Sequence, residues 1–115
     1  SNALERAFGG DSLSNDSRNT LPRPIKAKPS GEEDHEFITF LKYQDSYNTE
    51  GIQYLVETSR DLRTWLPTTD DDGAIQHGTA VEADGGMERV VYKTKKGRAE
   101  DGHNKIFIRV RIKTR

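Results

Sequence analysis

Short segments in which apolar and polar residues alternate dominate the chain from residue 36 onward. The most regular one runs from Ile106 to Ile112, where the even-numbered positions are apolar and most of the odd-numbered ones are basic. This period of two is typical of a β-strand with one buried face. Similar segments predict further strands at 37–43, 52–58, 74–77, 79–83 and 87–94. No stretch keeps a helical period over three turns, so the pattern predicts an all-β fold.

Turn residues separate these segments. The clearest turn is Asp84-Gly85-Gly86, which predicts a hairpin between the strands on either side. Five or six short strands in about 80 residues favour a small antiparallel β-sandwich, with an open β-barrel as the alternative. The predicted core consists of Phe37, Leu41, Ile52, Tyr54, Val56, Leu62, Trp65, Val81, Val90, Tyr92, Ile106, Ile108 and Val110.

Residues 1–34 have a different composition, with three of the four prolines and many Ser, Asn and Asp residues. They predict an irregular N-terminal arm, and residues 35–115 are predicted to form the sandwich domain. We expect the arm to lie against its own domain or against a neighbouring copy. The opening Ser1-Asn2-Ala3 is typical of a cleaved expression tag, so we expect the chain to be part of a larger parent protein.

Composition excludes several classes of function. The chain of 115 residues has no cysteine, which excludes disulfides and thiolate-based metal or nucleophilic sites. No apolar run approaches the roughly 20 residues of a membrane span. The net charge of -1 conceals an uneven distribution, because residues 87–115 hold 10 basic and 3 acidic side chains. This asymmetry predicts either an anion-binding face or two parts of one domain that attract each other.

Two motifs resemble a known family. The segment Tyr54–Trp65 reads Tyr-x-Val-Glu-x-Ser followed by Asp-Leu-x-x-Trp, and the closing strand reads Phe-x-Arg-x from Phe107. This pattern resembles the small β-sandwich modules at the C-terminal ends of large secreted or cell-surface bacterial proteins. The chain departs from that pattern by continuing past its last hydrophobic strand with Lys113-Thr114-Arg115.

The resemblance implies a non-catalytic accessory module, outside a bacterial cell, that serves attachment, ligand binding such as glycan binding, or anchoring. Within the motif we expect structural roles. Asp61 can accept backbone N–H bonds that hold a corner, Leu62 and Trp65 can turn inward to cap the end of the sandwich, and Tyr54 is expected to be structural as well. On that view, Trp65→Ala unfolds the domain at a cost of about 3–5 kcal/mol.

The basic C-terminal part contains the strongest candidate binding site. One face of the last strand holds Phe107, Arg109, Arg111 and Lys113, and the preceding loop holds Lys95, Lys96 and Arg98. Cations beside an aromatic ring on a β-surface are suited to polyanions such as sulfated polysaccharides or oligonucleotides. The alternative is an edge strand that its charges protect from aggregation.

Other candidate chemistry is weaker. Asp70, Asp71 and Asp72 with Gly73 suggest a calcium loop, but an EF-hand register fails because threonines stand at its first and last ligand positions. A different calcium loop and a solvated acidic loop both remain open. No serine has the context of a nucleophile, and no metal-ligand spacing joins the histidines, so we predict neither an enzyme nor a cofactor.

Three hypotheses for function follow. The first is the accessory module, which serves attachment, anchoring or the binding of a ligand such as an acidic glycan. The second is a nucleic-acid-binding β domain that uses the basic C-terminal strand. The third is a homotypic assembly module, in which residues 1–34 of one copy add to the sheet of another.

Overall fold

The computed structural model describes residues 21–98 and 105–114. These residues form an all-β fold of two antiparallel sheets packed against each other. Both sheets are open and do not close into a barrel, so the sandwich prediction is confirmed. Within the described ranges, no helix has the length and apolar character needed to cross a membrane.

Within the described residues, seven strands make up the two sheets. They are β1 (Arg23–Pro24), β2 (Phe37–Tyr43), β3 (Gln53–Ser59), β4 (Ala74–Gln76), β5 (Val81–Ala83), β6 (Met87–Thr94) and β7 (Phe107–Lys113). The larger sheet has the order β1-β2-β6-β4, with β5 also paired to β6, and the smaller sheet pairs β3 with β7. The long strands β2, β3, β6 and β7 therefore alternate between the sheets along the chain.

The core lies between the sheets and is centred on Phe40. The register sets Phe40 opposite Val90 and Ile38 opposite Tyr92, so these four side chains share one face of the larger sheet. Phe40 is fully buried, and its ring stacks between Tyr54 and Tyr92 at centroid distances of 6.0 and 5.9 Å. Apolar residues that alternate along β3 and β7 fill the opposite side.

The predicted hairpin connects β5 to β6. Gly85 and Gly86 have φ angles of 74° and 77°, which L-residues with a side chain rarely adopt. A Cβ atom on Gly86 would also lie 2.5 Å from the ring of Tyr47. The Asp-Gly-Gly sequence thus meets both a conformational and a steric requirement of this turn.

Part of the predicted arm packs on its own domain, one of the two positions expected for it. Arg23 and Pro24 pair with β2, and Glu32 forms an ion pair with Lys93 of β6. The carbonyl oxygens of Glu33 and Asp34 accept hydrogen bonds from Nη2 and from the backbone N–H of Arg98, at 3.2 and 2.8 Å. The first 20 residues lie outside the described part, and self-association through residues 1–34 stays a prediction.

Two predicted core residues are exposed. Leu62 is 57% exposed, because a positive φ of 63° at the corner after β3 turns its side chain outward. Val81 is 65% exposed, because it lies on the short edge strand β5, opposite Arg89. Alternation and apolar character predicted burial at both positions, but nothing in the described chain covers these edges of the fold.

Candidate binding face on the two-stranded sheet

The outer surface of the smaller sheet gathers most of the predicted basic strand. The register of β3 and β7 sets Glu57 opposite Arg109 and Leu55 opposite Arg111, on the side that faces away from the core. Phe107 is half-buried on this side, and Lys113 is exposed at its far end. In the described part of the chain β7 has no partner other than β3, so it is an edge strand, and the interpretation of its charges as edge protection also remains.

The carboxylate of Glu57 forms ion pairs with both Arg109 and Arg111. Its Oε1 atom accepts a hydrogen bond from Nε of Arg109 at 3.0 Å and lies 2.9 Å from Nη2 of the same residue. Nε and Nη2 of Arg111 donate to the two oxygens of Glu57, both at 3.3 Å. Neither Nη1 atom forms a hydrogen bond to the described residues. Each guanidinium is thus fixed at one end and retains a donor group at the other.

The Glu57 side chain is only 11% exposed, and its environment sets its charge. Burial alone would raise the pKa of the carboxyl group, but hydrogen bonds and positive charge from Arg111 and Arg109 outweigh burial. The pKa therefore lies below its ordinary value, and Glu57 is ionised at neutral pH.

We expect this interaction to make stability depend on pH. Because the folded-state pKa of Glu57 is depressed, its contribution is complete above about pH 4.3, the ordinary glutamate pKa, and is lost as the pH falls through the folded value. Urea denaturation between pH 7 and pH 3 should show a steeper loss of stability for the wild type than for Glu57→Gln. Parallel curves for the two proteins would contradict this assignment.

Trp65 lies on the outer surface and does not close the sandwich. The guanidinium carbon of Arg109 is 3.8 Å from the centroid of the indole ring, which is half-buried. The expected inward cap is therefore wrong, and strand alternation gives the reason. Leu66 exchanges two backbone hydrogen bonds with Thr58, at 3.1 and 2.8 Å, and takes the inner face, so its neighbour Trp65 takes the outer one.

This position changes the expectation for Trp65→Ala. The substitution removes a half-buried ring and one cation–π contact, so we expect it to lower the free energy of unfolding by about 1–2 kcal/mol and to leave the domain folded. Urea denaturation followed by circular dichroism measures this change. A loss above about 3 kcal/mol, or an unfolded variant, would mean that Trp65 acts as a core residue, as the sequence predicted.

Asp61 holds the backbone of the corner between Ser59 and Trp65 as predicted, although Leu62 and Trp65 do not turn inward. Oδ1 of Asp61 accepts the backbone N–H groups of Arg63 and Thr64 at 2.8 and 2.9 Å, which hold the pKa of this carboxyl group below its ordinary value. Oγ of Ser59 accepts the N–H of Leu62 at 2.8 Å. These bonds fix the chain direction that brings Trp65 to Arg109.

The remaining basic residues bind parts of their own domain. Nζ of Lys95 donates to the carbonyl oxygens of Thr68 and Asp70 at 2.7 and 2.9 Å. Lys96 contacts the carboxylate of Asp72 at 2.8 Å, and Arg98 contacts residues of the 28–36 segment. The structure thus separates Lys95, Lys96 and Arg98 from the outer face of the smaller sheet. At these contacts the two oppositely charged regions attract each other, which is one of the two interpretations of the uneven charge.

The acidic loop is organised by these lysines and by its own backbone. Oδ1 of Asp70 accepts the N–H of Asp72 at 2.9 Å, and the carbonyl of Asp72 accepts a hydrogen bond from Thr58. Among residues 21–98 and 105–114, no three histidine, aspartate or glutamate side chains come together as a metal site would require. Asp70, Asp71 and Asp72 therefore do not converge with further acidic or histidine ligands from the described chain.

Sequence reasoning missed Glu57. The motif Tyr-x-Val-Glu-x-Ser placed it in the sequence but did not give its partners. Its contacts with Arg109 and Arg111 follow from the register of β3 against β7, which neither strand's sequence gives alone. A single outward-facing carboxylate on a sheet is too common to indicate a site by itself. We call Glu57, Trp65, Arg109 and Arg111 the arginine face.

Comparison with known proteins gives no match. No protein-family model matches the sequence, and no curated protein or solved structure is significantly similar to the chain.

Proposed function

We propose that this chain is a non-catalytic β-sandwich module that binds an acidic glycan on its arginine face. In this proposal it is an accessory part of a larger secreted or cell-surface bacterial protein. The resemblance of the Tyr54–Trp65 and closing-strand motifs supports the setting. The geometry of the arginine face supports the ligand.

The observation that carries the proposal is the clamp of two arginines on one carboxylate. Both guanidinium groups are fixed before a ligand arrives, so little side-chain entropy is lost on binding. The two positive charges exceed the single negative charge of Glu57. Each Nη1 atom is available to the carboxylate or sulfate oxygens of a ligand.

The surroundings favour a polysaccharide over a compact ligand. The site is an open sheet surface that also carries the side chains of Trp65 and Phe107. Sugar rings have apolar C–H faces that pack on such side chains, and an acidic glycan repeats its anionic groups along an extended chain. A polymer can therefore contact both arginines at the same time.

Trp65 is the only tryptophan, and its fluorescence can report binding directly. We expect heparin, as a probe, to bind the wild type at low salt. The double variant Arg109→Gln with Arg111→Gln should bind at least about tenfold more weakly, because it loses two charge-assisted contacts. The matched control, Arg23→Gln with Lys26→Gln, removes the same charge from exposed residues at the β1 edge of the larger sheet and should change the affinity less than about threefold.

Two outcomes would contradict the proposal. Equal weakening in both double variants would mean that net charge alone attracts heparin. Tighter binding of single-stranded DNA than of heparin, with the same dependence on Arg109 and Arg111, would favour the nucleic-acid-binding hypothesis.

A further inference from the structure

A cleft lies beside the arginine face, at the edge of β3 that does not pair with β7. Its volume is about 210 Å³. Residues from both sheets and from the loop after Trp65 line it: Tyr54, Leu55, Val56, Glu57, Pro67, Thr68, Tyr92 and Arg111. The cleft borders the arginine face directly, because Glu57 and Arg111 belong to both.

The walls of the cleft combine aromatic and charged groups. Tyr54 and Tyr92 flank the buried ring of Phe40 and present aromatic surface at the seam between the sheets. The hydroxyl oxygen of Tyr54 accepts a hydrogen bond from the backbone N–H of Tyr43 at 3.2 Å, and burial raises the pKa of this side chain to about 12. Glu57 and Arg111 contribute a carboxylate and a guanidinium on the side of the arginine face.

The backbone of β3 adds polar groups. At this edge of β3, Thr58 forms an isolated antiparallel bridge with Leu66, and the bridge does not continue to Pro67. Because the N–H and C=O groups of alternate residues point to the same side of a strand, those of Val56 are directed to this edge. Pro67 has no N–H group, so it cannot donate a hydrogen bond to the carbonyl oxygen of Val56.

We propose that this cleft binds one hexuronate unit of the acidic glycan, an inference that rests on the proposed function. The sugar ring packs on the tyrosines, and its hydroxyl groups contact Glu57 and the backbone of Val56. Its carboxylate accepts a hydrogen bond from Nη1 of Arg111. Pockets for drug-sized molecules measure about 300–1,000 Å³, so a cleft of this volume is suited to a single sugar unit.

The charge around the cleft favours an acidic sugar over a neutral one. Arg111 lines the cleft beside Glu57, and because Arg109 also pairs with this carboxylate, the three side chains together retain one positive charge. A neutral hexose offers the exposed guanidinium of Arg111 no anionic partner in place of water. We therefore expect glucuronate to bind at least about tenfold more tightly than glucose.

The test uses competition between glucuronate and heparin, followed by Trp65 fluorescence. Thr68→Tyr places a large side chain at the cleft, whereas Thr69→Tyr makes the same change at an exposed neighbour that does not line it. We expect glucuronate to displace heparin from the wild type and from Thr69→Tyr. In Thr68→Tyr its inhibition constant should rise at least about tenfold, since the cleft is then filled. Thermal melts check that both variants are folded.

Each other result overturns a specific part of the proposal. If heparin binds all three proteins equally and glucuronate does not compete, the cleft is not a sugar site, and the arginine face remains the glycan site. If glucose competes as well as glucuronate, the acidic specificity is wrong. If heparin does not bind the wild type, the proposed function fails together with this inference.

Discussion

Replacing Phe40 with alanine is expected to lower the free energy of unfolding by about 3–5 kcal/mol, because it removes the ring on which both sheets pack. The side chain is completely buried, and its ring contacts Tyr54 from the smaller sheet and Tyr92 from the larger one. Its loss leaves a cavity at the point where the two sheets meet. In a small domain this is a large fraction of the total stability.

Urea denaturation at pH 7 measures the effect, with Tyr47→Ala as the control. Tyr47 is an aromatic residue that is 58% exposed, so its removal should cost less than about 1 kcal/mol. A cost for Phe40→Ala no larger than that of the control would mean that the sheets do not pack around this ring.

Gly73→Ala is expected to cost about 2–4 kcal/mol. A Cβ atom at this buried position would lie 2.1 Å from the carbonyl oxygen of Pro67, so either the loop or β4 must move. The same loop is held by hydrogen bonds from the Gly73 N–H to Asp70 and from the Lys95 N–H to Gly73, both at 3.0 Å. The added methyl group therefore disturbs several backbone contacts together.

Gly78→Ala separates this steric effect from the general cost of replacing a glycine. Gly78 has a φ of 77°, but no atom would lie within 4 Å of the added methyl group, so only backbone strain of about 1 kcal/mol is expected. Chemical denaturation of both variants provides the comparison. A smaller cost for Gly73→Ala than for Gly78→Ala would show that the loop adapts without loss of stability.

The sequence predicted the long strands well because turn residues bound segments rich in apolar and β-branched residues, and because β7 also alternates regularly. The structure has β2 and β6 at the predicted 37–43 and 87–94, and the ends of β3 and β7 differ by one residue. The two glycines of the hairpin turn were equally informative, since few other residues adopt positive φ angles. Local pattern and turn chemistry were sufficient for this part of the fold.

The same pattern failed where long-range geometry decides burial. Leu62 and Val81 are apolar, but one lies in a left-handed corner and the other on an edge strand. Trp65 faces outward because Leu66 pairs with Thr58, and a register between two segments is not visible in either segment alone.

The candidate site was predicted in part for the same reason. The alternation of β7 identified Arg109 and Arg111 as neighbours on one face. Their common partner Glu57 depends on the register of β3 against β7, which sets it opposite Arg109. The separation of Lys95 from this face also follows from tertiary structure, because its carbonyl partners at Thr68 and Asp70 lie in a loop much earlier in the chain.

The alternation of long strands between the two sheets has a consequence for folding. The pairs nearest in sequence are Tyr43 with Met87 in one long ladder and Ser59 with Phe107 in the other, so even these partners are far apart along the chain. Neither ladder can begin as a local hairpin, and both require closure of a long loop before any contact compensates for the lost chain entropy. The smaller sheet, together with the arginine face, assembles only once the segment 107–113 has joined the nascent chain, so the arginine face forms after the strands of the larger sheet have all been synthesised.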